Sequence, residues 1–329
     1  MKTAIIFKKS DISKRFTPKA IQALADLGEV VLHDSDDLSA EAIKATIAGA
    51  DIAITSWGNT ELTADILDAA PNLRFVMHAA GSVKPVVSDA MWERGIRIAA
   101  STKPLGIGVA ETALGFAISA SKNFYQVNDE IHNGGWNANR PNCKELYEIT
   151  VGVISGGFVG RHFIKLMRNF GVEILLYDPF VTEEQAAALG AKKADLKELL
   201  NQADIVSIHA PSIPATDNMF NAETLKWMKK DAVLINTARG SIIDEKALYE
   251  HMAAGNLKYA CLDVFNPEPP AVDNPLRTLK NVIMTPHLAG LATNGQLRIG
   301  AHAVEEIHRF LNNERLECEV TEKMLATMA

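Results

Sequence analysis

The sequence predicts an α/β protein built from two doubly wound parallel sheets, and three observations support that prediction. The chain has 329 residues, which is long for one hydrophobic core and favours two domains. Short apolar strands alternate with helical segments over residues 1–100, as in a parallel sheet with helices on both faces. A second series of strands and helices begins at residue 151, after a long helical pattern over residues 110–132.

The individual elements follow from apolar runs and from the residues at their ends. Thr17 and Pro18 predict the start of a helix that runs to Leu27, because threonine caps a helix and proline fits its first turn. A last helix is predicted over residues 300–312. The predicted strands are 4–7, 30–32, 52–55, 75–78 and 96–98 in the first sheet, and 151–154, 172–177, 205–208, 233–236, 260–263 and 282–284 in the second.

A glycine-rich turn over residues 155–160 joins the first strand of the second sheet to an amphipathic helix that ends at Gly171. The next strand ends at Asp178, which is 178 − 160 = 18 residues past Gly160 and near the gap of about 20 in dinucleotide folds. There, a helix N-terminus binds the pyrophosphate and the acid binds the ribose hydroxyls. The fingerprint expects glycine where Ser155 stands. Taken alone, the pattern therefore fits an ordinary strand–helix turn equally well.

Three further side chains lie just past strands of the same sheet and suit one reaction. Arg239, in Asn-Thr-Ala-Arg-Gly, can bind a carboxylate through two parallel hydrogen bonds. His287, in Thr-Pro-His, can give or take a proton near neutral pH. Glu268, in a stiff proline-rich loop, can fix the ring tautomer and stabilise its protonated form. With a hydride donor, these groups suit the reduction of a 2-keto acid.

Together these segments resemble the D-isomer-specific 2-hydroxyacid dehydrogenases, the family of phosphoglycerate, glycerate, glyoxylate and D-lactate dehydrogenases. Order and spacing agree over residues 145–290 and more loosely before them. The resemblance implies a Rossmann-type NAD domain, residues 102–290, inserted into a flavodoxin-like substrate domain, residues 1–101 and 291–329. The matching segments are the glycine turn and residues 203–211, 228–247, 262–270 and 285–290.

The resemblance also implies NAD as cofactor and a role for each site residue. Arg239, Glu268 and His287 would be catalytic, with no metal. Gly81, Ser82 and Val83 would bind the substrate carboxylate together with Arg239 and His287. The implied cofactor-binding residues are Gly157, Phe158, Val159, Gly160, Asp178, His209, Pro211, Thr216, Thr237, Ala238, Arg239, Asp263, His287 and Gly290.

Several of these roles have alternatives that the sequence leaves open. His209 either shuttles a second proton or packs under the cofactor. Asp263 either orients the nicotinamide ring or caps a turn. Lys84 stands where the family has an acid, and it either adds charge near the substrate or faces solvent; Trp57 either narrows the pocket or packs its loop. Residues 51–66 contain no lysine or arginine, which disfavours a phosphorylated substrate.

Composition narrows the class of protein. The formal net charge of −7 without a basic block disfavours binding to nucleic acid or anionic membranes. The three cysteines are scattered, which predicts free thiols in a reducing compartment. The polar start of the chain does not fit a signal peptide, and apolar runs are expected to stay well below the 18 or so residues of a membrane span. We therefore expect a soluble, cytoplasmic protein.

Two other functions share this fold and the Arg/Glu/His set. One is an NAD(H)-sensing scaffold like the corepressors called C-terminal binding proteins, and the other is a dehydrogenase of a different substrate, such as phosphite or formate. The resemblance further implies a homodimer joined through the helix at residues 110–132. That helix has more apolar residues than one exposed helix should carry, unless they are buried inside the monomer. These residues are Leu114, Phe116, Ala117, Ile118, Ala120, Phe124 and Tyr125.

Overall fold

The computed structural model describes residues 1–328 and divides into two compact units. The first unit comprises Met1–Leu105 and Gly290–Ala329, and the second comprises Gly106–Ala289. The second unit is therefore a continuous segment inserted into the first along the chain. The boundaries predicted from the sequence lie at residues 101/102 and 290/291.

The first unit is built on a six-stranded sheet. Its strands are β1 (Lys2–Ile5), β2 (Glu29–Leu32), β3 (Ile52–Thr55), β4 (Phe75–His78), β5 (Arg97–Ala100) and β13 (Glu319–Val320). Their order is β13-β5-β4-β3-β1-β2, and all pairs are parallel except β13 with β5. The order 2-1-3-4-5 among the first five strands is that of a flavodoxin-like sheet, so the predicted fold of this unit is confirmed.

Helices cover both faces of this sheet, as its burial pattern requires. Alternate residues at the end of β1 and just after it belong to opposite cores: Ala4 and Ile6 to one, Ile5 and Phe7 to the other. The cap predicted at Thr17 is present, because its hydroxyl accepts the amide hydrogen of Ala20 at 3.1 Å. The helices are α1 (Lys9–Arg15), α2 (Pro18–Ala25), α3 (Ala40–Ile47), α4 (Ala64–Asp68), α5 (Asp89–Glu93) and α12 (Thr293–Leu311), with a 3₁₀ turn at Glu322–Ala326.

The second unit is built on a seven-stranded parallel sheet. Its strands are β6 (Thr150–Ile154), β7 (Glu173–Tyr177), β8 (Lys192–Lys193), β9 (Ile205–Ile208), β10 (Val233–Asn236), β11 (Tyr259–Leu262) and β12 (Val282–Met284). Their order is β12-β11-β10-β9-β6-β7-β8. Counted from β6, this contains the Rossmann order 3-2-1-4-5-6. The chain order reverses at β6 and β9, and the carboxyl ends of these strands form one edge of the sheet.

Two cores lie on opposite faces of this sheet. Along β10, Leu234 belongs to one core, and Val233 and Ile235 belong to the other. The helices are α6 (Thr102–Ser121, which belongs to this unit from Gly106 onward), α7 (Phe124–His132), α8 (Phe158–Met167), α9 (Glu183–Leu189), α10 (Leu196–Gln202) and α11 (Glu245–Ala253). Shorter 3₁₀ turns occur at Arg140–Asn142, Arg168–Phe170, Thr224–Trp227, Gly240–Ile242 and Pro275–Thr278.

The single helix predicted over residues 110–132 is wrong, because the structure has two helices there. The break falls at Asn123, whose φ of 58° lies in the left-handed region that asparagine tolerates. Asn123 is fully buried, and its side chain accepts a hydrogen bond from the Tyr259 hydroxyl at 2.7 Å. A tertiary contact therefore stabilises a conformation that local periodicity does not predict. The last helix is also longer than predicted, starting at Thr293 rather than residue 300.

Helix α6 contradicts the expectation that apolar runs stay well below the length of a membrane span. By length and composition alone its 20 residues could cross a membrane, although 44% of its most apolar 18-residue stretch is buried in the structure. Ala113, Phe116, Ala117 and Ala120 pack into a core of the second unit with strand residues such as Val151. A core helix of a globular domain passes the same test, so the length of α6 is weak support for a membrane span.

Part of the apolar pattern at residues 110–132 is buried inside the chain and part is not. Phe116, Ala117 and Ala120 are buried, whereas the Phe124 residue is 52% exposed. Helix α7 buries none of its residues. Other large apolar residues in and after α7 are also exposed, namely Ile131, Trp136 and Tyr147.

Candidate active site

The glycine turn after β6 has the backbone geometry of a phosphate-binding turn. Ser155 has a φ of 79°, the left-handed conformation that glycine adopts most easily. A Cβ on Gly160 would lie 2.0 Å from the carbonyl oxygen of Ser155, so only glycine fits there. A Cβ on Gly157 would meet nothing closer than the Ser155 hydroxyl at 3.9 Å. Gly160 is therefore required by helix–strand packing, whereas the space beside Gly157 is open.

The start of α8 offers amide hydrogens to an anion. Gly157 is its N-cap and provides no side-chain hydrogen bond to the first turn. The first amides of a helix have no partner within the helix, and the helix dipole favours negative charge at that end. Phe158 and Val159 supply the first of these amides, and the Phe158 residue is half exposed. A pyrophosphate would satisfy them.

Asp178 lies just past β7 beside this turn. One carboxylate oxygen accepts the Gly156 amide hydrogen at 2.8 Å, and the other accepts the Phe180 amide hydrogen at 2.8 Å. The Ser155 hydroxyl also donates to it, at 3.4 Å. A carboxylate has about four acceptor positions, so one position remains for a ribose hydroxyl beside these three donors. The predicted acid is thus held in place by the glycine turn itself.

Arg239 follows β10 in a turn braced by a buried amide. The Asn236 side chain donates to the Arg239 carbonyl at 2.9 Å and accepts the Ala238 amide hydrogen at 3.0 Å. Burial lowers the pKa of the Arg239 guanidinium, and the negative charge of Glu268 partly opposes that shift. The arginine nevertheless stays charged at any working pH, because its ordinary pKa is above 12. A largely desolvated cation of this kind attracts a substrate carboxylate strongly.

His287 and Glu268 are brought together although 19 residues separate them. His287 Nδ1 lies 2.7 Å from a carboxylate oxygen of Glu268. The other Glu268 oxygen accepts the Phe265 amide hydrogen at 2.9 Å. An ionised carboxylate only accepts, so Nδ1 carries a proton and Nε2 is the nitrogen available for proton transfer. The side chain of His287 is half exposed, which leaves room for a substrate.

Asp263 holds the loop that carries His287. The fully buried Asp263 carboxylate accepts hydrogen bonds from the Thr285 hydroxyl and from the amides of Leu288 and Ala289, the last two at 2.9 Å each. Its backbone carbonyl accepts the His287 amide hydrogen at 2.8 Å. The structure therefore supports the turn-capping alternative for Asp263, because these contacts fill most of the carboxylate's acceptor capacity. A contact with the nicotinamide stays a prediction.

His209 follows β9 and is held as a neutral ring. Burial lowers its pKa to about 3, so the ring is uncharged at neutral pH and keeps a proton on one nitrogen only. Its Nε2 lies 2.9 Å from the Ser207 hydroxyl, and the ring packs on Phe163 with centroids 5.1 Å apart. These contacts favour the packing alternative over a second proton shuttle. Nearby, the Thr216 hydroxyl is used locally, because it donates to the Pro211 carbonyl at 2.6 Å.

Two predicted cofactor residues have buried polar atoms without a partner among residues 1–328. These atoms are the Thr237 hydroxyl oxygen and His209 Nδ1. Buried polar atoms are normally hydrogen-bonded, so an exception calls for a ligand or a water. The unpaired atoms, the uncapped start of α8 and the space beside Gly157 together fit a nicotinamide dinucleotide. Within the same range, no group of three or more His, Cys, Asp or Glu side chains could hold a metal ion.

The remaining predicted residues belong to the first unit. Gly81, Ser82 and Val83 follow β4, and Gly290 begins the returning segment; their roles stay predictions. Lys84 is exposed, in line with the solvent-facing alternative. Trp57 packs its ring against the Arg15 guanidinium, 4.9 Å from the ring centroid.

Two residues that position the predicted set are not among the site residues predicted from the sequence, namely Thr285 and Glu245. Both residues lie in or beside a recognised motif, and that position in the sequence could have drawn attention to them. Their hydrogen-bond partners are distant in the sequence, so the contacts themselves could not be predicted: Glu245, for example, accepts the amide hydrogen of Asn266, 21 residues away.

Comparison with known proteins gives a consistent result. Residues 114–289 match the family model described as D-isomer specific 2-hydroxyacid dehydrogenase, NAD binding domain. The chain is 36% identical over 299 residues to the D-3-phosphoglycerate dehydrogenase of Methanocaldococcus jannaschii, covering 91% of this chain and 56% of that protein. It is 33% identical over 254 residues to the hydroxypyruvate reductase of Thermotoga maritima, covering 77% of this chain and 82% of that protein.

Solved structures agree on the fold. The TT0316 protein of Thermus thermophilus matches with a TM-score of 0.79 and 27% identity, over 98% of this chain and all of that one. A D-2-hydroxyisocaproate dehydrogenase matches with a TM-score of 0.82 and 22% identity, over 98% and 100%. The chain spans about half the length of the curated D-3-phosphoglycerate dehydrogenases it matches. The cofactor class is a nicotinamide dinucleotide.

Two alanine substitutions in the glycine turn should separate folding from cofactor binding. Gly160→Ala should lower the free energy of unfolding by about 1–3 kcal/mol, because its Cβ overlaps the Ser155 carbonyl. Gly157→Ala has room and should cost at most about 1 kcal/mol, yet weaken NADH binding by filling the space beside the pyrophosphate. Denaturant unfolding and fluorescence titration with NADH measure the two effects. Unchanged NADH affinity in Gly157→Ala would mean that no pyrophosphate approaches this turn.

The chain should prefer NADH to NADPH. A 2′-phosphate beside the Asp178 carboxylate would meet like charge, and residues 178–182 contain no cation to compensate. Asp178→Asn removes that charge and should narrow the preference. The ratio of kcat/KM with NADH to kcat/KM with NADPH measures this preference in the wild type and in the variant. A wild-type ratio of one or below contradicts the assignment of Asp178.

Proposed function

Because the chain belongs to the family of D-isomer-specific 2-hydroxyacid dehydrogenases, we propose that it interconverts a small 2-keto acid and its D-2-hydroxy acid with NAD(H). The observation that supports this most directly is the 2.7 Å contact between His287 Nδ1 and the Glu268 carboxylate. That contact prepares a proton donor at the edge of a nucleotide-binding sheet. The best single test is a panel of 2-keto acids, with and without a phosphate group, assayed with NADH by absorbance.

In this proposal the bound nicotinamide supplies a hydride to the keto carbon, and the residues of the chain do the rest. Arg239 binds the substrate carboxylate through parallel hydrogen bonds and polarises the keto oxygen. His287 Nε2 gives its proton to that oxygen as negative charge develops on it. Glu268 stabilises the imidazolium before transfer and keeps the proton on Nδ1 after it. In the oxidative direction the neutral ring takes the hydroxyl proton.

We infer that the substrate carries no phosphate. The loop after β3 contains no lysine or arginine in residues 51–66. The guanidinium that packs on its Trp57 belongs to Arg15, which is already paired with the Asp11 carboxylate at 3.3 Å. Binding a dianionic phosphate normally calls for unpaired cations or several amides. A phosphorylated keto acid that proved the best substrate of the panel would overturn this inference.

The proposed setting is the cytoplasm, with a small acid as partner and no nucleic acid or membrane. The net charge of −7 supports the exclusion of nucleic acid. A homodimer is also proposed, because large apolar residues along and after α7 are exposed: Phe124, Ile131, Trp136 and Tyr147. Phe124 and Ile131 are seven residues apart, on one face of α7, and an exposed apolar face of this kind usually marks a contact surface.

Arg239→Ala and His287→Ala should lose activity in different ways. Without Arg239 the carboxylate loses its binding group in ground and transition states alike, so KM should rise and kcat should fall. Without His287, kcat should fall on the order of 10² to 10⁴-fold, the usual contribution of a positioned acid. NADH titration should give wild-type affinity in both. A His287→Ala enzyme with near wild-type kcat would mean that another group donates the proton, His209 first among them.

Glu268→Gln should shift the pH optimum of keto acid reduction downward. The Glu268 carboxylate stabilises the protonated ring of His287, so loss of the carboxylate leaves less of the proton donor at a given pH. As the pH rises, the rate of reduction should therefore begin to decline at a lower pH than in the wild type. The oxidative direction needs the neutral ring and should extend to lower pH. The pH–rate profiles of both directions measure this. Unmoved profiles in both directions contradict a coupling between Glu268 and His287.

Replacing the exposed apolar residues of α7 should separate the dimer. Phe124→Glu with Ile131→Glu places two charges in the proposed contact, where their desolvation is costly. Light scattering at micromolar concentration should give the mass of two chains for the wild type and of one for the double variant. Val272→Glu, which changes another strongly exposed apolar residue outside this surface, is the matched control. A wild-type monomer is the contradicting result.

A further inference from the structure

The loop that carries Glu268 has little apolar packing to hold it. Residues 266–273 lie on the surface, and the Val272 residue is almost fully exposed. A segment that buries so little apolar surface gains its order from polar contacts or stays mobile. The position of the Glu268 carboxylate, and with it the contact to His287, therefore depends on the few hydrogen bonds that fix this loop.

One carboxylate joins both ends of the loop to a helix. Glu245, the first residue of α11, accepts the Asn266 amide hydrogen with one oxygen and a hydrogen of the Asn274 side-chain amide with the other, each at 2.8 Å. The adjacent amide, that of Phe265, donates to Glu268. Consecutive backbone amides thus bind two different carboxylates, one that anchors the loop and one that faces His287.

The segment that carries Arg239 contacts the same place. A Cβ on Gly240 would lie 2.0 Å from the carbonyl carbon of Phe265, so the two backbones touch there. Glu245 lies five residues further along, past the 3₁₀ turn Gly240–Ile242. Residues 239–245 therefore contact the Glu268 loop at two places. The backbone of Gly240 packs on that of Phe265, and the Glu245 carboxylate accepts two charge-assisted hydrogen bonds from the loop.

We propose that Glu245 is a positioning residue that holds the Glu268 loop in register with His287. The inference rests on the proposed function, because it assigns Glu245 a part in the same proton transfer. Within residues 1–328, no hydrogen bond or ion pair joins the Glu245 carboxylate to His287, so it acts through the loop. The charged groups that face the His287–Glu268 pair are Arg239, which couples to Glu268, and Asp263, which binds the next two amides after His287.

The loop has a second anchor, and it explains why the effect should be partial. Arg277 donates to the carbonyls of Ala271 and Pro270, at 2.9 Å and 3.0 Å. Without Glu245 the loop keeps that anchor near its far end but loses the bonds at residues 266 and 274. The Glu268 carboxylate should then spend less time at His287 Nδ1. Misplacement of about 1 Å in a catalytic group can cost on the order of 10²-fold in rate, so a loss of roughly tenfold is expected near neutral pH.

Glu245→Ala should move the pH–rate profile of keto acid reduction toward lower pH, in the direction expected for Glu268→Gln, with KM for NADH unchanged. Asn274→Ala removes one of the two bonds and should give a smaller shift in the same direction. Glu250→Ala, on the same helix and away from the loop, should leave the profile unmoved. A lower melting temperature without a shifted profile in both Glu245→Ala and Asn274→Ala would mean that the contacts only stabilise the fold.

The double variant Glu245→Ala with Glu268→Gln isolates the coupling. If Glu245 acts through Glu268, the double variant should be no slower than Glu268→Gln alone, because the second change removes nothing further. Losses that multiply would show independent roles and overturn the proposal.

A measurement of the ring tautomer separates this inference from the proposed function. The ring nitrogens of His287 can be followed by nitrogen NMR in the apo protein at alkaline pH, with their signals assigned by loss in His287→Gln. In Glu245→Ala the fraction of rings with the proton on Nδ1 should fall below that of the wild type, because Glu268 accepts this proton less often. An unchanged fraction overturns the role of Glu245 whatever the enzyme does. A reduced fraction in a protein that reduces no 2-keto acid would instead overturn the proposed function and leave the positioning role intact.

Discussion

The geometry of the candidate site depends on one buried carboxylate. Asp263 is fully buried, and a buried charge is tolerated only when its oxygens are hydrogen-bonded. Its donors come from the short stretch after β12, which must therefore bend back over the end of β11. That bend gives His287 a φ of 49°, a conformation that non-glycine residues seldom adopt. The solvation requirement of Asp263 thus sets where the proton donor points.

The fold and the recognised motifs were predictable because they depend on short-range patterns. A strand buried on both faces must be apolar throughout, as Ile205–Ile208 and Val233–Asn236 largely are, and the turns beyond such strands must meet at one edge. Arg239 and His287 stand in such turns. The pairing of His287 with Glu268 was predicted from residue chemistry and family resemblance, since the 18 residues between them carry no periodic signal.

What the sequence did not predict are contacts whose two partners lie far apart in the chain. The helix break at Asn123 depends on Tyr259, 136 residues later, and local periodicity across residues 110–132 gives no hint of it. Glu245 looks like an ordinary acid in the first turn of a helix, a favourable place for it in any case. The lowered pKa of His209 likewise follows from its burial, and its contact with Phe163 is encoded by no motif.

The nucleotide-binding turn depends on the backbone conformation at Ser155 rather than on a glycine there. The left-handed backbone of Ser155 is the conformation that a glycine would supply, and its hydroxyl adds a bond to Asp178 that a glycine lacks. The turn therefore requires a positive φ at this position, and glycine is the residue that supplies it most often. Asparagine, which also tolerates that angle and adds no negative charge beside Asp178, should be acceptable at this position. A search pattern written in terms of allowed conformations would recover chains of this kind, whereas one that demands three glycines passes over them.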